Sequence, residues 1–210
     1  MHNQLQYISQ GNTVEEQLYN IHRAVDNGCD WIQLRFKKQN TVEVFTLAEA
    51  VKMLCKEYLA TFIINDNVHL AQQLDADGVH LGLSDMSVEE ARLILGKTKI
   101  IGGTANTFED VLQRTTENCD YIGLGPFQFT TTKQNLSPIL GLDGYRLIIG
   151  QMKAKNIQIP IYAIGGITLE NVESLMKTGI HGIAVSGLIT QTENASQLIN
   201  QLNDKLYVTI

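Results

Sequence analysis

A row of alternating polar residues, Gln33-x-Arg35-x-Lys37, ends one apolar, β-rich segment of this chain. Side chains of an extended strand alternate between two faces, so these three residues share one face while Leu34 and Phe36 lie on the other. An amide and two cations on an inward face would be costly to bury unless they met an anion. The row therefore predicts an anion-binding surface. A solvated strand end with ordinary surface cations is the alternative.

Two carboxylates follow the next two apolar segments. Asn65-Asp66 ends the run that begins at Thr61, and Asp85 comes shortly after the segment 78–81. If the two segments are neighbouring strands about 4.8 Å apart, the carboxylates lie roughly 5–10 Å from each other. Hard oxygen ligands with no soft ligand nearby suit Mg2+ that is held partly by a substrate phosphate. The alternative is that each aspartate only caps the helix that follows.

Hydroxyl and glycine residues follow the later apolar segments. The loop 127–138 contains Thr130-Thr131-Thr132-Lys133, and the last two segments end in Gly165-Gly166 and Ser186-Gly187. Glycines let backbone N–H groups approach an anion, and helix N-termini behind them favour negative charge. These segments predict a phosphate site, although composition alone favours a plain polar surface loop for the threonine segment.

The elements that must position these residues alternate along the whole chain. Apolar, β-rich segments alternate with amphipathic helical segments that begin at capping residues such as Thr13, Ser87 and Thr107. His80 lies within one of these strands and is predicted to pack in the interior rather than to act as an acid or base. The predicted strands lie near 5–8, 31–34, 61–64, 78–81, 99–102, 121–124, 159–164 and 182–185.

A short pattern recurs before every second strand. The segments 28–32, 75–79, 118–122 and 179–183 each combine a helix end, a small residue, a polar residue and an apolar strand. Such a repeat fits a barrel, in which odd and even strands contribute alternate layers to the interior. We therefore predict a (β/α)8 TIM barrel with eight parallel strands and one domain, 1–210. A doubly wound sheet is the alternative, but it gives no reason for the repeat.

Composition narrows the class of function. The chain has 210 residues, 44% of them hydrophobic and 18% charged, with a formal net charge of −6. This net charge argues against nucleic acid or an anionic membrane as a partner, so an anionic substrate would need a local basic pocket. No segment reads as a signal peptide or a membrane span. Cys29, Cys55 and Cys119 are too few for a disulfide framework. We expect buried thiols in a reducing cytoplasm.

Taken together, the segments resemble the thiamine phosphate synthase family along nearly the whole chain. The matching stretches are Gln33 to Lys37, Ile64-Asn65-Asp66, Ala76 to Gly82 with Asp85, Tyr121 to Pro126, Thr130 to Lys133, Gly165-Gly166-Ile167, and Ser186. The resemblance implies a transferase that couples hydroxymethylpyrimidine diphosphate to hydroxyethylthiazole phosphate with Mg2+ as cofactor. Thiamine phosphate and diphosphate would be the products of a dissociative substitution.

The resemblance also implies a role for each matching residue. Arg35, Lys37 and Lys133 would act on the diphosphate, together with Asn65 and Thr104, and Gln33 would contact the pyrimidine ring. Asp66 and Asp85 would hold Mg2+. The thiazole phosphate would lie against Thr130, Thr132, Gly165, Gly166, Ser186 and Gly187.

The chain departs from the family pattern at several positions. Phe36 stands where the family usually has glutamate, Leu83 replaces a glutamine, and Asn106 replaces a histidine. Phe36 points away from the polar row, so we expect a change in packing there. The loop 128–130 also lacks an expected proline. Asn106 cannot carry a charge, which argues against proton transfer at that position.

Two rival functions stay open at this point. A related thiazole tautomerase shares the barrel and the thiazole phosphate site but needs neither diphosphate nor metal. A non-catalytic relative would bind thiamine-pathway phosphates without turning them over. A homodimer is one of the assemblies that the sequence leaves open.

Overall fold

The computed structural model describes residues 3–37, 40–130 and 138–207 as a closed barrel of parallel strands in the order β1 to β8. The strands are β1 (Leu5–Ile8), β2 (Trp31–Leu34), β3 (Thr61–Asn65), β4 (Gly78–Leu81), β5 (Ile100–Ala105), β6 (Tyr121–Leu124), β7 (Ile161–Ile164) and β8 (Gly182–Val185). Each strand pairs with the next, and β8 pairs with β1. The predicted (β/α)8 barrel is confirmed, and the doubly wound alternative is wrong because the sheet has no open edge.

Helices connect the strands. They are α1 (Val14–Asp26), α2 (Thr41–Glu57), α3 (Val68–Gln73), α4 (Val88–Leu95), α5 (Phe108–Thr116), α6 (Gly141–Ala154), α7 (Val172–Met176), α8 (Gly187–Thr190) and α9 (Ala195–Leu206). The predicted starts are confirmed: the Thr13 side chain caps α1, and Ser87 and Thr107 form capping boxes at α4 and α5. Such caps satisfy amide groups that the first helical turn leaves without a partner.

A small cluster separate from the main core fills part of the barrel interior. It contains Trp31, Ile63, Tyr121 and Tyr162, which come from β2, β3, β6 and β7. The Trp31 ring lies 5.0 Å from the Tyr121 ring and 4.8 Å from the Tyr162 ring, both edge to face. Edge-to-face contacts at this distance are favourable for aromatic rings. Because the strands that supply them lie on different sides of the barrel, these side chains form a floor inside it.

The recurring pattern before the even strands has a concrete structural role at two of its positions. Asp77, just before β4, accepts a hydrogen bond from the Phe62 amide of β3 at 2.8 Å. Asp120, just before β6, accepts one from the Ile101 amide of β5 at 2.7 Å. These carboxylates tie β4 to β3 and β6 to β5. The repeat thus reflects a strand-to-strand tie as well as the alternation of the barrel.

The three cysteines are buried free thiols, as predicted. Burial raises the pKa of Cys29, Cys55 and Cys119 to about 12 in each case. A thiol with so high a pKa carries almost no thiolate at neutral pH and is a poor nucleophile. Within the described part of the chain, every helix is too short or too polar to cross a membrane.

Candidate active site

A cavity of about 900 Å³ opens where the strands end, at the carboxyl-terminal face of the barrel. The predicted site residues that line it are Gln33, Arg35, Lys37, Asn65, Asp66, Asp85, Thr104, Thr130, Gly165, Gly166, Ser186 and Gly187. Thr132 and Lys133 lie outside the described residues. The barrel therefore brings together, in one cavity, all the predicted site residues that are described. This is the face that carries the active site in enzymes with this fold.

One side of the cavity is strongly charged. Lys37 Nζ lies 2.9 Å from Asp66 Oδ2, so the cation predicted for the diphosphate pairs with a carboxylate predicted for the metal. Arg35 lies on the same face of the chain, and burial lowers its pKa although the charge of Asp66 partly offsets this effect. The Arg35 amide donates to the Ser9 hydroxyl at 2.9 Å, which holds the backbone of the row in place.

Asp85 lies beside Asp66, close enough for a hydrogen bond between the two carboxyl groups when one of them is protonated. Burial of Asp85 is the larger cause and this hydrogen bond the next, and together they raise the Asp85 pKa above its ordinary value. The Gly82 amide donates to Asp85 Oδ2 at 2.6 Å and works in the opposite direction. Two carboxyl groups held this close repel each other when both are ionised, so the pair favours a cation between or beside them.

The donors present fit Mg2+ held jointly with a substrate. Asp66 and Asp85 offer hard carboxylate oxygens, which Mg2+ prefers, and Asn65 adds an amide next to them. In the described ranges, no cluster of three or more His, Cys, Asp or Glu side chains could hold a metal ion by itself. A cation here would therefore take its remaining ligands from water and phosphate oxygens, as Mg2+ commonly does.

Buried polar side chains form the inner end of the cavity. His80 Nδ1 lies 3.0 Å from the Tyr121 hydroxyl and His80 Nε2 lies 3.1 Å from the Thr104 hydroxyl. Gln6 donates to the same Tyr121 oxygen at 3.2 Å. His80 is buried as predicted, yet it also lines the cavity and supports Thr104.

Gln33 has a poorly used donor at this inner end. Its side chain is 1% exposed, and its amide nitrogen lies close to the Tyr121 hydroxyl but makes no hydrogen bond of regular geometry among the residues described. A buried amide without a well-aligned partner costs on the order of 1–3 kcal/mol. Such a group inside a cavity is well placed to bind a polar ligand.

The double glycine after β7 has a second explanation in the structure. Gly165 and Gly166 have φ values of 86° and 69°. A Cβ at Gly165 would lie 2.8 Å from the Pro126 side chain, and one at Gly166 would lie 2.7 Å from the Phe129 carbonyl oxygen. The glycines thus allow the segment after β6 to pack directly on the segment after β7. The sequence alone predicts only that these glycines let an anion approach the backbone.

Two glutamines that the sequence interpretation missed lie near the end of β8. Gln10 and Gln191 line the cavity, and the side chain of each lies 3.5 Å from the position of a Cβ on Gly187. Ser186 is the N-cap residue of α8, but its side chain does not bond to the backbone of that helix. Its hydroxyl instead lies 3.5 Å from Gln10 Oε1. The position of Gln10, two residues after β1, was the signal that could have identified it, because strand ends face this cavity.

The departures from the family pattern lie in different surroundings. Phe36 packs against the main core and does not line the cavity, as the strand period predicts. The Asn106 amide donates to the Gly125 carbonyl, so this side chain joins the ends of β5 and β6. Leu83 is 45% exposed at the mouth of the cavity, next to the carboxylate pair.

Comparison with known proteins places the chain in one family. Residues 5–189 match the family model described as thiamine monophosphate synthase. The chain is 72% identical to a thiamine-phosphate synthase of Flavobacterium psychrophilum over 98% of its own length and 100% of the relative. It is 63% identical to one of Flavobacterium johnsoniae over 100% of its length and 99% of the relative.

A solved structure agrees with these relatives. A thiamine phosphate pyrophosphorylase from Pyrococcus furiosus superimposes with a TM-score of 0.83 at 30% identity. The alignment covers 97% of this chain and 95% of that structure.

Proposed function

This chain belongs to the thiamine monophosphate synthase family, and from that premise we propose that its cavity joins hydroxymethylpyrimidine diphosphate to hydroxyethylthiazole phosphate. The observation that carries the proposal is the division of one cavity into two parts. A charged part contains Arg35, Lys37 and the carboxylate pair, and a second part contains the glycine, serine and threonine residues after β6, β7 and β8. Two phosphorylated substrates have to lie side by side for this reaction.

The charged part fits the pyrimidine diphosphate. Arg35 and Lys37 would donate to diphosphate oxygens, with Asn65 and Thr104 beside them. The chain has a formal net charge of −6, so these local cations must overcome a field that repels anions. The Gln33 amide, which has no well-aligned partner in the protein, would donate to the pyrimidine ring at the buried end.

Asp66 and Asp85 would hold Mg2+ against the diphosphate. Burial and then the nearby Asp66 raise the Asp85 pKa, and a divalent cation would relieve the repulsion between the two carboxylates. Bound Mg2+ would supply positive charge that neutralises the diphosphate as it leaves. Lys37, which pairs with Asp66, can then turn to the diphosphate oxygens.

The reaction needs charge stabilisation and positioning more than acid–base chemistry. The bond between the pyrimidine methylene carbon and the diphosphate oxygen breaks, and the diphosphate keeps the electron pair. The amino-substituted ring stabilises the cation that remains, and the thiazole nitrogen donates its lone pair to form the new C–N bond. Each donor aimed at the growing charge is typically worth about 10²–10³ in rate. No proton has to move, which fits the tie of Asn106 to a backbone carbonyl.

The second part of the cavity would position the thiazole phosphate. Thr130, Gly165, Gly166, Ser186 and the Gly187 backbone line it. Fixing the thiazole nitrogen close to the methylene carbon makes the bond-forming step effectively unimolecular. We expect small-molecule substrates to be the partners of this enzyme, and we expect it to work in the cytoplasm. A homodimer is one of the assemblies that it could form.

The test is an assay with purified protein, both substrates, and Mg2+ either present or removed by a chelator. We expect thiamine phosphate and diphosphate to form in equal amounts, and only with Mg2+. Folded protein that binds thiazole phosphate without forming product would contradict the proposal. A tautomer-conversion assay would then separate a thiazole tautomerase from a non-catalytic relative.

A further inference from the structure

An arginine of α5 lies behind the charged part of the cavity without lining it. The Arg114 side chain is 3% exposed. Its Nη2 donates to the Gly82 carbonyl at 2.8 Å, and its Nε donates to the Thr104 carbonyl at 3.1 Å. Its Nη1 pairs with Glu117 at 2.8 Å, which balances the buried charge. One guanidinium group therefore contacts three acceptors at fixed angles.

These contacts join the ends of two neighbouring strands. Gly82 directly follows β4, and its amide donates to Asp85 Oδ2 at 2.6 Å. Thr104 belongs to β5, and its hydroxyl contacts His80 inside the cavity. The planar, rigid fork of an arginine suits such a bridge, because it fixes both the distance and the direction of its acceptors.

The glycines of both strand ends make room for this arrangement. A Cβ at Gly103 would lie 2.7 Å from Arg114 Cδ and 2.8 Å from its Nε. A Cβ at Gly82 would lie 2.8 Å from Asp85 Oδ2. Contacts shorter than 3 Å would force one partner to move. The bridge therefore depends on glycine at position 103, and a side chain at position 82 would displace the Asp85 carboxylate.

We propose that Arg114 is a positioning residue for the metal- and diphosphate-binding part of the cavity. It orients Asp85 through the backbone of Gly82, whose carbonyl it binds and whose amide donates to the Asp85 carboxylate, and it holds the strand that carries Thr104. This inference rests on the proposed function and deepens it. Arg114 touches no substrate in this arrangement, so its effect reaches the reaction only through the groups that it holds.

The experiment compares wild-type protein with Arg114→Lys in initial-rate measurements. A lysine ammonium can donate to these carbonyls but cannot reach all three acceptors in the fork geometry. We expect the Mg2+ concentration for half-maximal rate and the KM for pyrimidine diphosphate to rise about tenfold, which is about 1.4 kcal/mol. The KM for thiazole phosphate should change by less than about twofold, because Arg114 contacts nothing in that part of the cavity.

Arg23→Lys is the matched control. Arg23 lies on α1, and its guanidinium donates to the carbonyls of Ile189, Thr190 and Thr192 at 2.7–2.8 Å, behind the segment after β8. It bridges backbone carbonyls as Arg114 does, but on the opposite part of the cavity. The Arg23 variant should therefore keep the wild-type Mg2+ requirement.

Each outcome decides the inference. Unchanged constants in Arg114→Lys, or an equal change in all three, would overturn it, because both exclude a selective effect on one part of the cavity. If neither Arg114→Lys nor Arg114→Gln gives folded protein, the residue is only structural and the inference fails. A wild-type protein that makes product without Mg2+ overturns the metal site and this inference with it. If the wild type requires Mg2+ and Arg114→Lys has the same constants as the wild type, only this inference is overturned.

Discussion

Replacing Asp66 with asparagine removes one of the two carboxylates at the charged part of the cavity while keeping the size of the side chain. A carboxylate and a cation about 4 Å apart interact by about 4 kcal/mol at an effective dielectric constant of about 20. Because the Asp66 side chain is 30% exposed, water weakens this interaction, and about 3 kcal/mol is the better expectation. We therefore expect Asp66→Asn to lower kcat/KM for the pyrimidine diphosphate about 10²-fold at a fixed Mg2+ concentration.

The assay follows thiamine phosphate formation while Mg2+ is varied at saturating thiazole phosphate. Wild type and Asp66→Asn are compared with Asp143→Asn. Asp143 pairs with Arg146 at 2.9 Å, the same separation as Lys37 and Asp66, but its side chain is 95% exposed and lies outside the cavity. Calorimetric titration with thiazole phosphate should give nearly wild-type affinity for Asp66→Asn, because the two substrates occupy different parts of the cavity.

Three results would refute this reasoning. Normal turnover of Asp66→Asn at low Mg2+ would remove Asp66 from the metal site. An equal loss of thiazole phosphate affinity would show that the variant disturbs the whole cavity. A similar loss of turnover in Asp143→Asn would assign the effect to net charge rather than to the site.

Three further predictions concern groups whose surroundings are unusual. Gln33→Leu should raise the KM for pyrimidine diphosphate at least tenfold, because it removes a buried donor that has no well-aligned partner in the protein. An unchanged KM in steady-state kinetics would show that the ring lies elsewhere. In metal-free protein, the raised pKa of Asp85 means that its protonated form is favoured by folding, and this stabilisation is lost as pH rises through that pKa. Asp85→Asn should therefore have a higher melting temperature than wild type at neutral pH. The difference in melting temperature should shrink as pH falls toward the ordinary carboxyl pKa of 3.8. A constant difference across pH would contradict this. The three cysteines, Cys29, Cys55 and Cys119, have pKa values raised from 9.0 to about 12. They should react with iodoacetamide about a thousandfold more slowly in folded than in unfolded protein. Rapid labelling of the native protein, detected by mass spectrometry, would contradict this.

Much of the fold could be predicted because strand and helix periods are local properties. The first, second, fourth, sixth and eighth strands have the predicted bounds, whereas β5 continues to Ala105 and β7 begins only at Ile161. Pro160 accepts a hydrogen bond from Ile122 but has no amide hydrogen to donate, so regular pairing starts after it.

The described site residues could be found because a barrel places all strand ends on one face. Their mutual contacts could not be found in the same way. Lys37 was assigned to the diphosphate and Asp66 to the metal, yet these two side chains pair with each other. Nothing in the local sequence of α5 showed that Arg114 would hold Gly82 and Thr104.

The sequence by itself determined the alternation of strands and helices, the helix caps, and the set of polar residues at the strand ends, because each depends on a few neighbouring residues. Only the tertiary structure decided which of these groups meet, as in the Asp66–Asp85 pair and the bridge through Arg114. The reason is geometric. Residues far apart in the chain, such as Asp66 and Asp85 or Gly82 and Arg114, become neighbours only when the barrel forms, and their burial and pKa values follow from it.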